Sequence, residues 1–276
     1  MKIGLCFFPT DDSIHPVELA TAAEERGIES VWLAEHSHIP VTEATPGPGG
    51  PGLPREYYAV ADPFVALGFM AAATSELRLG TGVALVPQRD VFQLAKEVAT
   101  IDFFSAGRFL FGVGGGWNSP EIEDHGTDPS KRFAVMRERI EAMKELWTKE
   151  KAEYHGKHVD FGPCFAWPKP AQQPGPPIHV GGTSIRRALR YGDGWIPLAG
   201  AGDADPVNRL DELRTELDRA GRSPEGFEVS IYFCPPDADY VGRCRDAGIA
   251  RALFAIPSDG RDSALAALDG YAKFVS

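Results

Sequence analysis

Between residues 77 and 117, two apolar runs (77–85 and 109–113) flank a helical pattern over 91–105, and both runs end in glycine. Gly80 and Gly82 close the first run; Gly112, Gly114, Gly115 and Gly116 close the second. A strand, helix and strand of this length form a crossover unit, which demands a parallel sheet and a right-handed connection. Glycines at strand ends let something large and flat approach the backbone, a first sign of a cofactor.

The same alternation runs through the chain. Residues 2–8 are almost continuously apolar, as in a strand buried on both faces. Pro16 opens a helix that Gly27 closes. Asp62-Pro63 is an N-cap followed by proline at the first helical position, and Asp205-Pro206 repeats that signature. Further strands are expected at 30–35, 77–83, 109–113, 177–180, 194–197, 227–233 and 251–256. Helix 131–149 carries Phe133, Met136, Ile140, Met143 and Trp147 at helical spacing. Residues 153–176 read as a hairpin and a proline-rich surface connection. Eight strands alternating with eight helices predict an α/β fold closed as a (β/α)8 TIM barrel, one domain over 1–276; an open doubly wound sheet is the other arrangement of this pattern. The longest patternless stretch, 37–61, follows the second strand. In a barrel it lies over the C-terminal mouth, as a mobile lid or a disordered tip.

The net charge of −11 argues against nucleic acid or an anionic membrane as partner. No apolar run reaches the roughly 18 residues of a membrane span, and the start of the chain lacks signal-peptide character. Cys6, Cys164, Cys234 and Cys244 show no CxxC spacing and read as reduced thiols of a cytoplasmic protein.

Barrel sites gather at the C-terminal strand ends. These offer Pro9 and Thr10; Glu35, His36 and His38; Gly82 and Val83; Gly114 to Asn118; Gly181 to Ser184; Pro197; and Ser258 and Asp259. Glu35-His36-Ser37-His38 contains an HxH, but other strand ends do not complete a ligand set, so no metal is expected. There is no GxSxG nucleophile elbow, and Gly112-Val113-Gly114-Gly115-Gly116 does not fit a dinucleotide fingerprint. Ile178–Arg190 reads as a strand, then Gly181, Gly182, Thr183 and Ser184, then a helix. Such a junction is either an anion site for a phosphate-bearing cofactor or an ordinary capped helix. His36, beside Glu35, suits proton transfer next to a redox ring, or is a hydrogen-bonded structural histidine.

Taken together, SVWLAEHSHIP, the 77–126 block, the RERIEAMKELW helix and PPIHVGGTSIRRALRYGDGWIP resemble the bacterial-luciferase-like superfamily of flavin barrels, and more closely its probable coenzyme F420-dependent oxidoreductase branch. The resemblance runs from residue 2 to about 200. It implies a non-proline cis peptide at Gly82–Val83 under the cofactor ring, and Glu35 and His36 as the catalytic pair. It also implies a cofactor-phosphate loop of Gly181, Gly182, Thr183, Ser184 and Ile185, with Gly114, Gly115 and Asn118 lining the ring or its side chain. Two departures stand out. Trp117 occupies the place of a glutamate proton donor of the F420-dependent sugar-phosphate dehydrogenases, and Leu85 replaces a polar cofactor contact. The implied activity is hydride transfer between F420 and a small organic substrate. The alternatives are an FMN-dependent monooxygenase using O2 and a separate reductase, or a non-catalytic flavin-binding barrel. A homodimer is also implied, through helices near 62–73 and 91–105. Arg186, Arg187 and Arg190 either meet the anionic tail that F420 carries and FMN lacks, or form a solvated helix face.

Overall fold

The computed structural model describes residues 1–41, 52–200 and 205–275. Eight parallel strands close into a barrel: β1 Lys2–Phe7, β2 Ser30–Leu33, β3 Arg78–Thr81, β4 Phe109–Gly114, β5 Ile178–Gly181, β6 Gly194–Ile196, β7 Glu228–Ile231 and β8 Arg251–Ala255. Their order around the wall is β3-β2-β1-β8-β7-β6-β5-β4, and β3 pairs with β4 to close the ring. Leu5 stands opposite Val31 on one side and Phe254 on the other. The closing pair sets Leu79 against Phe109 and Gly80 against Leu110.

Two glycines explain how the ring closes here. A Cβ on Gly80 would lie 2.5 Å from the Trp32 indole, and one on Gly112 would lie 1.9 Å from the Thr81 carbonyl oxygen. Both positions therefore admit only hydrogen, and the fully buried Trp32 fills the barrel interior beside Cys6, Leu110, Ile196, Tyr232 and Leu253. Outward-facing Leu5, Val31, Leu79, Phe111 and Val180 join Leu19, Leu67, Leu94, Met143 and Leu189 of the surrounding helices in the larger core. Burying each such large side chain contributes about 1.5–3 kcal/mol, which is why these strands read as unbroken apolar runs.

The helices are α1 Pro16–Glu25, α2 Arg55–Ala59, α3 Pro63–Ala73, α4 Val91–Phe104, α5 Ser119–Asp124, α6 Arg132–Thr148, α7 Ile185–Tyr191, α8 Leu210–Arg219, α9 Ala238–Asp246 and α10 Arg261–Ala272. The expected N-caps are in place: Asp62 accepts from the Val65 amide, and Asp205 from the Val207 amide. Asp205 opens a 3-10 turn, Pro206–Arg209, ahead of α8. The connection after α6 carries the expected hairpin, Ala152–His155 against Asp160–Cys164. Helix α2 lies in the stretch 37–61 expected to be patternless, and α5 between the expected strand at 109–113 and the expected helix at 131–149. Of the expected lid 37–61, residues 42–51 lie outside the described residues. Among the described residues no helix is long and apolar enough to cross a membrane.

Candidate active site

At the C-terminal end of β2, Glu35 and His36 part company, as neighbours along an extended chain do. The Glu35 carboxylate accepts from the Leu85 amide at 2.7 Å and from Arg89 Nε at 2.5 Å. Arg89 also reaches Asp62 at 2.6 Å and Glu97 at 2.9 Å. Burial pushes the Glu35 carboxyl above its ordinary range, and Arg89 and the Leu85 amide offset this only in part. Glu35 thus anchors the backbone just beyond β3, and no hydrogen bond joins it to His36 among the described residues.

The carboxylate on His36 is Glu121, a residue the sequence reading passed over. Its Oε2 lies 2.8 Å from His36 Nδ1, and its Oε1 accepts from the Ser37 amide at 3.0 Å. Glu121 is fully buried. It is delivered by α5, whose N-cap Asn118 accepts from the Glu121 amide at 3.2 Å. The signal was Asn118-Ser119-Pro120-Glu121, an N-cap followed by proline and an acid in the first turn. On the other side of the ring, Trp117 donates its indole N–H to His36 Nε2 at 3.2 Å. With Glu121 ionised, these two partners assign the proton of a neutral His36 to Nδ1 and leave its lone pair at Nε2.

Tyr57, on α2, completes the cover. Its ring centroid lies 5.8 Å from that of His36 and 6.2 Å from that of Trp117. Arg55 ties the same helix to Asp11 and Asp12 at 2.7 and 2.8 Å, and the Ala61 amide donates to the Pro9 carbonyl. The described part of the 37–61 stretch therefore crosses the barrel mouth above His36.

At the end of β3 the Gly82–Val83 peptide is cis. The Val83 side chain lies against two of the singled-out glycines. A Cβ on Gly114 or Gly181 would come within 2.4 or 2.9 Å of its methyl carbons. Gly115 likewise makes room for Phe133, whose ring would stand 2.5 Å from its Cβ. These three glycines admit neighbouring side chains, so packing alone accounts for their size. Gly182 differs: it has a φ of +106° and open space where a Cβ would sit.

In the β5–α7 junction, the Ser184 hydroxyl caps α7 by accepting from the Arg187 amide at 3.3 Å. Thr183 is exposed, and its carbonyl accepts from Arg209. Ile185 is buried in the core. Of the expected cluster Arg186, Arg187 and Arg190, two members stand in solvent. Arg186 is 82% exposed and pairs with Glu216, and Arg190 is exposed. Arg187 and Arg132 instead bracket the Phe133 ring at 3.4 and 4.4 Å from its centroid. Arg132 Nε is buried with no hydrogen-bond partner.

Three more buried polar atoms lack partners around the mouth: Asn118 Nδ2, Gln88 Nε2 and the Tyr232 hydroxyl. The Cβ position of Gly116 lies 3.4 Å from Gln88 Nε2, and that of Gly82 lies 3.1 Å from the Tyr232 oxygen. Burial pushes the Tyr232 phenol well above its ordinary value, which keeps it a donor. An unmatched buried donor costs about 1–3 kcal/mol. A flat ligand edged with carbonyl and ring-nitrogen acceptors fits these donors, and an anionic group fits Arg132 and Arg187. Among the described residues no three His, Cys, Asp or Glu side chains could hold a metal ion.

The chain is similar to several known proteins. An uncharacterized protein of Mycobacterium tuberculosis is 39% identical over 274 residues, covering 96% of this chain and 95% of its own length. An F420-dependent glucose-6-phosphate dehydrogenase of Kineococcus radiotolerans is 30% identical over 221 residues; the match spans 78% of this chain and 61% of that enzyme. The crystal structure of the monooxygenase RslO1 from Streptomyces bottropensis superposes with a TM-score of 0.79 at 22% identity, over 100% of this chain and 98% of that one. The profile of the luciferase-like monooxygenase family matches residues 12–248, and the chain belongs to that family.

Proposed function

We propose that this protein is an F420-dependent oxidoreductase that moves a hydride between the deazaflavin and a small organic substrate, with His36 exchanging the accompanying proton. The observation that carries the reading is the environment of His36. A nearly buried imidazole is oriented through Nδ1 by a fully buried carboxylate, and its Nε2 lone pair is presented at the barrel mouth. When bound, F420 would supply the hydride-carrying ring. Gln88, Asn118 and Tyr232 would donate to that ring's acceptors, with Val83 beneath it. Arg132, Arg187 and the Gly182 backbone would hold its phosphate and anionic tail.

The work left to this chain is proton handling and exclusion of water. Nε2 takes a proton from a hydroxyl being oxidised, or returns one in the reverse direction, and Glu121 stabilises the charged imidazolium. Glu35 acts as a positioning residue, through the Leu85 amide and Arg89. Trp117 and Tyr57 cover the site, so substrate must displace the indole from Nε2. An apolar wall of Trp117 and Leu85 supports a less polar substrate than a sugar phosphate. The same wall favours the second reading, an FMN-dependent monooxygenase, in line with the family description.

The test is a fluorescence titration of the purified chain with F420 and with FMN. Tighter binding of F420, weakening as salt rises, is expected because the attraction of the half-buried Arg132 and Arg187 for the anionic tail is partly screened by salt. Tighter binding of FMN at every salt concentration would put the monooxygenase reading first.

A further inference from the structure

We propose that Glu121, Ser37 and His125 form a proton relay that connects His36 to solvent behind the active site, with His38 and Asp124 as a second, more exposed branch. The inference rests on the reading of His36 as the proton-exchanging group. The problem it addresses is visible in the geometry. Only 6% of the His36 side chain is exposed, and its Nε2 face lies under Trp117 and Tyr57. With substrate in place of the indole, that face is closed to water. A proton gained at Nε2 must then leave from the opposite side of the ring.

That side leads outward in short steps. Nδ1 meets Glu121 Oε2 at 2.8 Å, and Glu121 Oε1 stands 3.5 Å from the Ser37 hydroxyl, the longest link. The Ser37 oxygen lies 2.6 Å from His125 Nε2 and 2.9 Å from His38 Nδ1. His38 Nε2 lies 3.0 Å from Asp124. Exposure rises from 0% at the Glu121 side chain to 43% at His38 and 60% at Asp124. Orienting His36 requires only Glu121, already fixed by the Ser37 amide and the helix. Two imidazoles converging on one hydroxyl add nothing to that orientation, but they supply the donor and acceptor that a relay needs.

Once Nε2 has gained the substrate's proton, the imidazolium held by Glu121 gives up its other proton: the Nδ1–H bond breaks, Glu121 becomes a neutral carboxylic acid, and His36 is left neutral with its proton on Nε2. The carboxyl turns and gives the proton to the Ser37 oxygen, whose own proton passes to His125 Nε2. His125 then releases a proton to water. Burial first, and the neighbouring His38 second, hold the His125 imidazole below its ordinary value, which keeps it an acceptor near neutral pH. Glu121 and Asp124 oppose that shift and Arg89 adds to it.

The experiment uses the full chain labelled with nitrogen-15 at histidine, and measures exchange of the His36 Nδ1 proton with water by NMR. Ser37→Ala, and His125→Asn combined with His38→Asn, are each expected to slow this exchange at least tenfold while the nitrogen shifts of His36 keep the Nδ1–H tautomer. Ser37→Thr, which retains the hydroxyl, is expected to exchange at the wild-type rate. Unchanged exchange in both Ser37→Ala and the His38→Asn, His125→Asn double variant would overturn the relay. The measurement needs neither cofactor nor substrate, so failure to bind F420 would strike the functional reading and leave the relay's result standing.

Discussion

Glu121 and His36, 85 residues apart in sequence, meet at 2.8 Å through Oε2 and Nδ1. This pairing, rather than the adjacent Glu35, sets the imidazole's proton. Glu121→Ala should therefore leave His36 populating both neutral tautomers, visible in its imidazole nitrogen shifts. It should also destabilise the fold by about 1–3 kcal/mol, because the Ser37 amide and the imidazole lose a buried partner. A His36 that stays wholly Nδ1-protonated in Glu121→Ala would mean that Trp117 alone fixes the ring.

Removing the imidazole separates chemistry from binding. His36→Ala should lower turnover of an identified substrate by about 10²-fold or more, the usual scale for a general acid or base. Cofactor affinity should move far less, since the donors proposed to hold the ring are the unpartnered Gln88, Asn118 and Tyr232. Single-turnover rates alongside a cofactor titration check both halves. Equal turnover where chemistry limits the rate would leave His36 a structural role.

The fold was legible because its evidence is local. N-caps followed by proline, such as Asp62-Pro63, and unbroken apolar strands such as Lys2–Phe7 state element and burial together. The site was legible in part. His36 stood out by type and place, but strand neighbours diverge, so its real partner had to come from another element. Glu121 sits on a six-residue helix whose short pattern carries little periodic signal. The glycines were legible as close approaches, but not what approaches them. That Val83 fills the space at Gly114 and Gly181 depends on barrel closure, which brings β3, β4 and β5 side by side. The arginines illustrate the same limit. Sequence proximity grouped Arg186, Arg187 and Arg190, whereas packing on Phe133 separates Arg187 from the other two and joins it to Arg132 from a different helix.

That regrouping makes a binding prediction. Arg132→Ala combined with Arg187→Ala should weaken binding of both F420 and FMN, because these guanidiniums flank the phosphate loop. Arg186→Ala combined with Arg190→Ala should affect F420 alone, and weakly, since both side chains are exposed and Arg186 already faces Glu216. Fluorescence titrations at low and moderate salt compare the two pairs. A larger F420 loss in the exposed pair would return the anionic tail to the α7 surface.

His179 makes the acid limb of stability steep. Its ring is buried with both nitrogens unpartnered, packed edge-on against Trp32. Its 3.8 Å separation from Glu228 is beyond hydrogen bonding. Burial, and next the nearby Arg251 charge, push its pKa from 6.5 down to about 3. The folded state therefore holds it neutral while the unfolded chain binds a proton below about pH 6.5. Stability from this residue is complete above that pH and is lost as pH falls toward about 3. Between pH 6.5 and 5 the loss should reach about 2 kcal/mol. His179→Leu should flatten the dependence of the urea midpoint across that window, which lies above the carboxylate range where Glu29, held at about 2 after Arg251 overcomes its burial, begins to matter. An equally steep wild-type and variant profile would place the acid sensitivity elsewhere.

The last prediction concerns the outer face of α3 and α4. Val65, Phe69, Phe103 and Phe104 are 63%, 58%, 52% and 75% exposed. Between the two helices runs a groove of about 570 Å³, lined by Val65, Ala71 and Phe104 together with the charged Asp62, Lys96 and Glu97. Lone exposed apolar side chains are ordinary, but four on two adjoining helices, two of them lining one groove, make a surface of the kind that marks an interface. We expect a second copy of this chain to cover it, related by a two-fold axis that sets the same surface against itself. Light scattering at micromolar concentration should report a homodimer. Phe69→Glu together with Phe104→Glu should shift it to monomer, because each dimer would bury four unpaired carboxylates in an apolar contact. The far-UV spectrum should be unchanged, since neither side chain belongs to the core. A monomeric mass for the unsubstituted chain would leave the patch without a partner and refute the assignment.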